Sequence, residues 1–253
     1  MSSGPNLFEI IRQIVGWSLV PPVEPTSQAP PVPLVTVIDR RNVERPVALS
    51  PVYRVVDGKR VRTAMREVRE VRAVMLHQLD CELGISKAQL AAAGGNMLEA
   101  RVQRAMRLEY HDVVLRGNIL VRNHPYTFRT AHGGPGNAAV GIGIEGSFPL
   151  LANQRTAKHT AVELVVHAAR RAVELAVAEL RGKGMRAIEI QAHRQWSRMR
   201  APDPGEEIWR EVALFAAPAF GLPIDYELGQ LGLPIPIEWD PAAHYGIKDR
   251  IGG

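Results

Sequence analysis

The stretch Ala192-His193-Arg194-Gln195-Trp196-Ser197-Arg198-Met199-Arg200-Ala201-Pro202-Asp203-Pro204-Gly205 carries an imidazole where an apolar run ends and a carboxylate ten positions later. Neutral imidazole and carboxylate are both good zinc ligands. A second apolar run, Val71 to Gln78, carries another imidazole, His77, near its end. If the two runs are neighbouring strands, their ends bring His77, His193 and Asp203 to one ion and leave a fourth position for water. Three protein ligands and one water describe a catalytic zinc, which lowers the pKa of that water to about 7.

Each of these residues also has a plainer reading. A lone histidine at a strand end is more often structural than a ligand, and only the set of three favours a metal. Asp203-Pro204-Gly205-Glu206 reads equally well as a helix start, with Asp203 as the cap and Pro204 in the first helical position. Cap and ligand then compete for the same carboxylate oxygens. For His111, His124, His159, His167 and His244 the structural reading wins. Gly133, Gly134 and Gly136 form no phosphate cradle, because no Lys-Ser/Thr pair follows them.

Several elements must position these groups. Val52 to Val56 and Lys59 to Arg62 flank Asp57-Gly58, the signature of a hairpin. Tyr110 to Leu115 and Ile119 to Val121 flank Arg116-Gly117-Asn118 and read as another. Ser86 caps a helix from Lys87, and a further helix covers Met97 to Met106. The segment 139–146, with glycines at 141, 143 and 146, suits a strand approached closely by a ligand or a neighbouring backbone. The longest helix is expected over 157–180, with its apolar stripe at Ala161, Leu164, Val165, Ala168, Ala172, Leu175 and Ala176. It carries both His159 and His167. Ile208, Val212 and Phe215 define the buried face of a C-terminal helix. Strands alternating with helices predict an α/β fold, a mixed central sheet flanked by helices.

The organisation expected is an N-terminal helix and proline-rich linker over 1–34, a catalytic body over 35–217 and an irregular Pro/Gly-rich extension over 218–253. Residues 21–34 hold six prolines. The N-terminal helix reads as a docking helix or as a tag for a partner. The chain has 253 residues, 46% hydrophobic and 23% charged, in the range of globular proteins. Its one cysteine, Cys81, excludes an intramolecular disulfide framework and a CxxC knuckle. The net charge of +5 suits an anionic partner. Basic residues are interleaved with acids and aromatics are only 6%, so nucleic acid is not the expected partner. No apolar run is long enough for a membrane span. The N-terminus is a poor secretory signal, which points to the cytoplasm or to delivery by a particle-linked or other non-classical route.

Four segments in order resemble the zinc-dependent N-acetylmuramoyl-L-alanine amidases, the family of phage amidase lysins and peptidoglycan recognition proteins. They are Met75-Leu76-His77-Gln78; Tyr110-His111-Asp112-Val113-Val114; Ala131-His132 through Asn137 to Gly141-Ile142-Gly143-Ile144-Glu145-Gly146; and His193 to Asp203-Pro204-Gly205 with Trp209. The resemblance implies a zinc enzyme that cleaves the amide between N-acetylmuramic acid and the L-alanine of the stem peptide in peptidoglycan or muropeptides. It places the zinc ligands at His77, His193 and Asp203, an assisting tyrosine at Tyr110, and a substrate-cleft loop at His132 and Asn137. Two positions depart from it. The catalytic glutamate of many members falls on Gly143, leaving Glu145 as the substitute base, and the lysine before the last motif falls on Ala201, leaving Arg200 to supply the charge. The departures also allow a module that binds peptidoglycan without cleaving it. A third reading is a wall-targeting effector docked on a phage-like or secretion particle.

Overall fold

The computed structural model describes residues 33–42, 52–56, 59–63, 66–130, 132, 138–224, 226 and 232–243. The expected N-terminal helix, most of the proline-rich linker, the Asp57-Gly58 turn, the glycine loop with Asn137, and His244 lie outside them.

Among the described residues, eight strands form two sheets. The main sheet has the order β1 (Thr36–Asp39), β6 (Ile119–Arg122), β5 (Asp112–Leu115), β7 (Ala139–Ile144), β4 (Ala73–Gln78) and β8 (Glu189–Ala192). Its pairings are parallel except for the β5–β6 hairpin, which makes it a mixed sheet. The second sheet is the expected hairpin of β2 (Val52–Val56) and β3 (Lys59–Thr63). The α/β architecture is thus the one the sequence calls for.

Alternation along the central strands divides the two faces. Val74 and Leu76 of β4 point with Val140, Ile142 and Ile144 of β7 into the main core. That core is closed by α3 (Val166–Gly182), whose buried face alternates Ala168, Ala169, Ala172 and Ala176 with larger Val and Leu side chains. Ala73 and Met75 point the other way, with Ala139 and Trp196. On that second face α2 (Met97–Ala105) covers the β5–β6 half through Val102 and Ala105. Ahead of it runs α1 (Lys87–Ala92), started by a capping box between Ser86 and Gln89. A cavity of about 690 Å³ opens at the N-terminal ends of β4, β7 and β8, beside Arg72, Ala73, Arg129, Ala139, Gln191 and Trp196.

Two expectations need correcting. The long helix starts at Val166 instead of 157, because Thr156 and His159 close a local turn in which the Thr156 N–H donates to His159 Nδ1 at 2.9 Å. His159 is therefore not helical, while His167 is. The C-terminal helix runs in three parts: α4 (Glu206–Ile208), a π turn (Trp209–Ala213) and α5 (Leu214–Phe220). The wide turn shifts the buried stripe, so Ile208 and Val212 are buried whereas Phe215 is 46% exposed, under the Arg170 guanidinium. Position 217 lies within α5. Beyond it, Trp239 is fully buried, 6.0 Å from the ring of Trp209, and its indole N–H donates to the Leu150 carbonyl.

Candidate metal centre

β4 and β8 are parallel neighbours with Leu76 opposite Ala192, so His77 and His193 come next at adjacent strand ends. Their ring centroids are 4.4 Å apart. The C-terminal end of parallel strands is where α/β sheets commonly place their ligands. From His193 the chain makes a 3-10 turn (His193–Gln195) and another (Arg198–Arg200), then doubles back. The Asp203 N–H donates to the Arg200 carbonyl and the Arg194 N–H to the Asp203 carbonyl, at 2.9 and 3.1 Å, which closes the loop and turns the carboxylate inward.

The potential ligand atoms of His77, His193 and Asp203 all lie within 4.8 Å of one another. Asp203 Oδ2 is 2.9 Å from His193 Nδ1, and Asp203 Oδ1 accepts the Gln78 N–H at 2.8 Å. With bonds of about 2.0 Å, two ligands of a tetrahedral ion are roughly 3.3 Å apart, a separation the His193–Asp203 pair already approaches at 2.9 Å. The helix-cap alternative is not realised: the N-cap of α4 is Gly205, with φ +95°, and no side chain caps it.

Burial sets the charge states. His77 is 0% exposed, and burial, reinforced by His193 and His132, holds its pKa well below the ordinary histidine value. Burial raises the Asp203 carboxyl, opposed by the His193 hydrogen bond. A divalent cation requires neutral imidazole and supplies the charge a buried carboxylate lacks. His77 Nδ1 gives the sharpest test of fit, being buried with no hydrogen-bond partner. An orphaned buried polar atom of this kind costs about 1–3 kcal/mol. A metal ion would take up its lone pair, and the N, N, O donor set suits zinc.

Tyr110 stands beside the cluster, its ring 5.0 Å from that of His77. Burial and then Asp203 push its pKa up to about 12, which keeps the phenol protonated as a hydrogen-bond donor. Arg200 is exposed at the mouth, and its charge is felt at His77, Tyr110 and Asp203.

Glu145 and His132 have definite partners. Glu145 Oε1 accepts the Leu83 N–H at 2.8 Å, and Oε2 accepts from Arg101 at 2.7 Å and from the Arg116 N–H at 2.8 Å. Its carboxylate ties the α2 and β5–β6 region to the end of β7. His132 is 7% exposed, with Nδ1 2.9 Å from His77 Nε2 and Nε2 3.3 Å from the Ala139 carbonyl, so it packs directly against a member of the cluster. The glycines of β7 make room for side chains: a Cβ at Gly141 would stand 2.5 Å from the His132 ring, and one at Gly143 2.6 Å from the Tyr110 ring.

Gln78 is the residue the sequence did not single out for a role. Besides its N–H on Asp203, its side chain donates to the Pro202 carbonyl at 3.2 Å and accepts the Phe148 N–H at 2.6 Å. The available signal was a polar side chain ending an otherwise apolar strand.

No family model matches the chain, and no curated protein matches it in sequence. Among solved structures it is similar to the Ph2119 endolysin of a Thermus scotoductus bacteriophage, at 16% identity and TM-score 0.42, over 71% of this chain and 98% of that one. It is similar to the Drosophila peptidoglycan recognition protein SD, at 19% identity and TM-score 0.40, over 79% and 100%. The bumblebee protein PGRP-SA gives 16% and 0.39, over 71% and 95%. These likenesses are distant in both measures, and the chemistry of the site rests on its own side chains.

Proposed function

We propose that the protein is a zinc-dependent amidase that hydrolyses the amide between N-acetylmuramic acid and the L-alanine of the stem peptide. The observation that carries the hydrolase reading is the convergence of His77, His193 and Asp203, with His77 Nδ1 buried and without a hydrogen-bond partner. The substrate class comes from the ordered motifs, and the net charge of +5 suits an anionic wall polymer.

His77, His193 and Asp203 would hold the zinc, which supplies a Lewis acid and an acidified water. Hydrolysis adds the water oxygen to the lactyl carbonyl carbon, breaks the C–N bond and leaves a proton on the alanine nitrogen. Tyr110, kept protonated, donates a hydrogen bond to the oxygen that becomes negative at the tetrahedral stage. Arg200 places a cation at the mouth, in the role that the lysine plays in related motifs. Gln78 holds Asp203 so that Oδ2 faces His193. Digestion of purified muropeptides with and without a chelator tests the reading. Release of stem peptide that stops on metal removal and in His193→Ala supports it, and release that persists in both rejects the metal role.

A second reading, binding without cleavage, is favoured by two observations. The carboxylate offered as base is engaged by Arg101, and position 143 is filled by the Tyr110 ring. Wall binding without released stem peptide selects it. Docking of residues 1–34 on a larger particle is the third, tested by pull-down with that segment.

A further inference from the structure

We infer that His132 is a positioning residue that decides which nitrogen of His77 is free to hold a cation, through a relay beginning at the Ala139 carbonyl. The inference rests on the metal-site reading and adds to it a residue outside the ligand set.

The relay follows from donor and acceptor counting. The Ala139 oxygen can only accept, and it lies 3.3 Å from His132 Nε2, so that nitrogen carries the proton. A neutral imidazole has one N–H, which leaves His132 Nδ1 as an acceptor. His77 Nε2, 2.9 Å away, must therefore donate. His77 then has a bare lone pair on Nδ1, the buried atom with no hydrogen-bond partner. The opposite arrangement aims the Nε2 lone pair of His132 at a carbonyl and buries an N–H on His77 Nδ1 without an acceptor, two faults at once. Arg66 also donates to the Ala139 carbonyl at 3.0 Å, which fixes the start of the relay. Gly141 lets the His132 ring lie flush on β7, since any Cβ there would collide with it. A ligating histidine commonly has its second nitrogen anchored by a carboxylate, a backbone carbonyl or water; here another imidazole takes that place and passes on the polarity of a backbone carbonyl.

The test uses the full chain, metal-free and labelled with 15N at histidine, with two-bond proton–nitrogen correlations to read each tautomer. The wild type is expected to show His77 protonated on Nε2 and bare on Nδ1. Zinc affinity by chelator competition is then compared in His132→Leu, which lacks the acceptor, and His132→Asn, whose Oδ1 replaces Nδ1. A fall of about 10–100-fold in His132→Leu with substantial recovery in His132→Asn supports the relay. A His77 proton on Nδ1, or a folded His132→Leu that binds zinc like the wild type, overturns it. If the wild type binds no zinc, the metal reading fails while the tautomer still decides the relay. If His132→Leu does not fold, the wild-type tautomer decides alone.

Discussion

The Cβ that Gly143 lacks would stand 2.6 Å from Cδ2 of the Tyr110 ring and 3.0 Å from the Leu79 side chain. Position 143, where the related motifs place a glutamate, is thus occupied by an aromatic ring from the loop before β5.

Restoring the missing carboxylate is therefore expected to do harm. Gly143→Glu forces Tyr110 off the strand at an overpacking cost of about 1–3 kcal/mol. Thermal melting should show a lowered Tm, and stem-peptide release should fall. A variant with unchanged Tm and faster release would contradict the placement of Tyr110.

Tyr110→Phe keeps the ring and removes only the hydroxyl. Loss of one oxyanion donor typically lowers kcat about 10²–10³-fold. Zinc affinity should stay near the wild-type value, because Tyr110 is not among the ligands. Steady-state kinetics beside a metal titration checks both. A loss of zinc with the hydroxyl would instead make Tyr110 part of the metal site.

Asp112 gives a pH dependence unrelated to the metal. It is fully buried, hydrogen-bonded by Tyr126 at 2.5 Å, and burial raises its pKa to about 6 against the pull of Arg122. A carboxyl whose folded pKa exceeds its unfolded value takes up a proton on folding. Its stabilising contribution is complete below the unfolded pKa near 4 and is lost as pH rises through about 6. Asp112→Asn, which mimics the protonated form, should gain on the wild type by up to about 3 kcal/mol between pH 4 and 7. Denaturant unfolding of both proteins across that range measures it. A variant that loses ground as pH rises would reverse the sign.

The segment around Trp239 braces the turn that carries His193. Leu233 donates its N–H to the Arg194 carbonyl at 2.8 Å, Arg194 Nε donates to the Pro234 carbonyl at 2.9 Å, and the Arg194 guanidinium lies 5.0 Å from the Trp239 ring centre. Gly232 passes so close to this turn that a Cβ there would meet the Gln195 backbone at 2.2 Å. Trp239→Ala should cost about 3–5 kcal/mol and weaken zinc binding in the protein that remains folded. Full zinc affinity alongside the lower Tm would show that the brace does not reach His193.

The parts of this molecule readable from sequence are those decided by short-range chemistry. The Ser86 cap, the Arg116-Gly117-Asn118 turn and the apolar run ending at His77 each fix a local element by capping, turn geometry or burial. The convergence of His77 with His193 was legible because parallel pairing of two apolar strands leaves their ends together. The partners of Glu145 were not legible, because only the fold brings Arg101 and two backbone N–H groups to the residue that follows β7. The contact of His132 with His77 was not legible, because it depends on a bare patch of β7, Gly141, that sequence spacing assigns equally well to a ligand. Phe215 failed because one π turn shifts the helical period.

Metal content tests the central claim most directly. The purified chain, titrated with zinc and measured by elemental analysis after dialysis, should hold one zinc per chain. His77→Ala, His193→Ala and Asp203→Ala should each lose it while keeping the fold by circular dichroism. A wild-type chain that takes up no zinc, or three variants that retain it, would contradict the account.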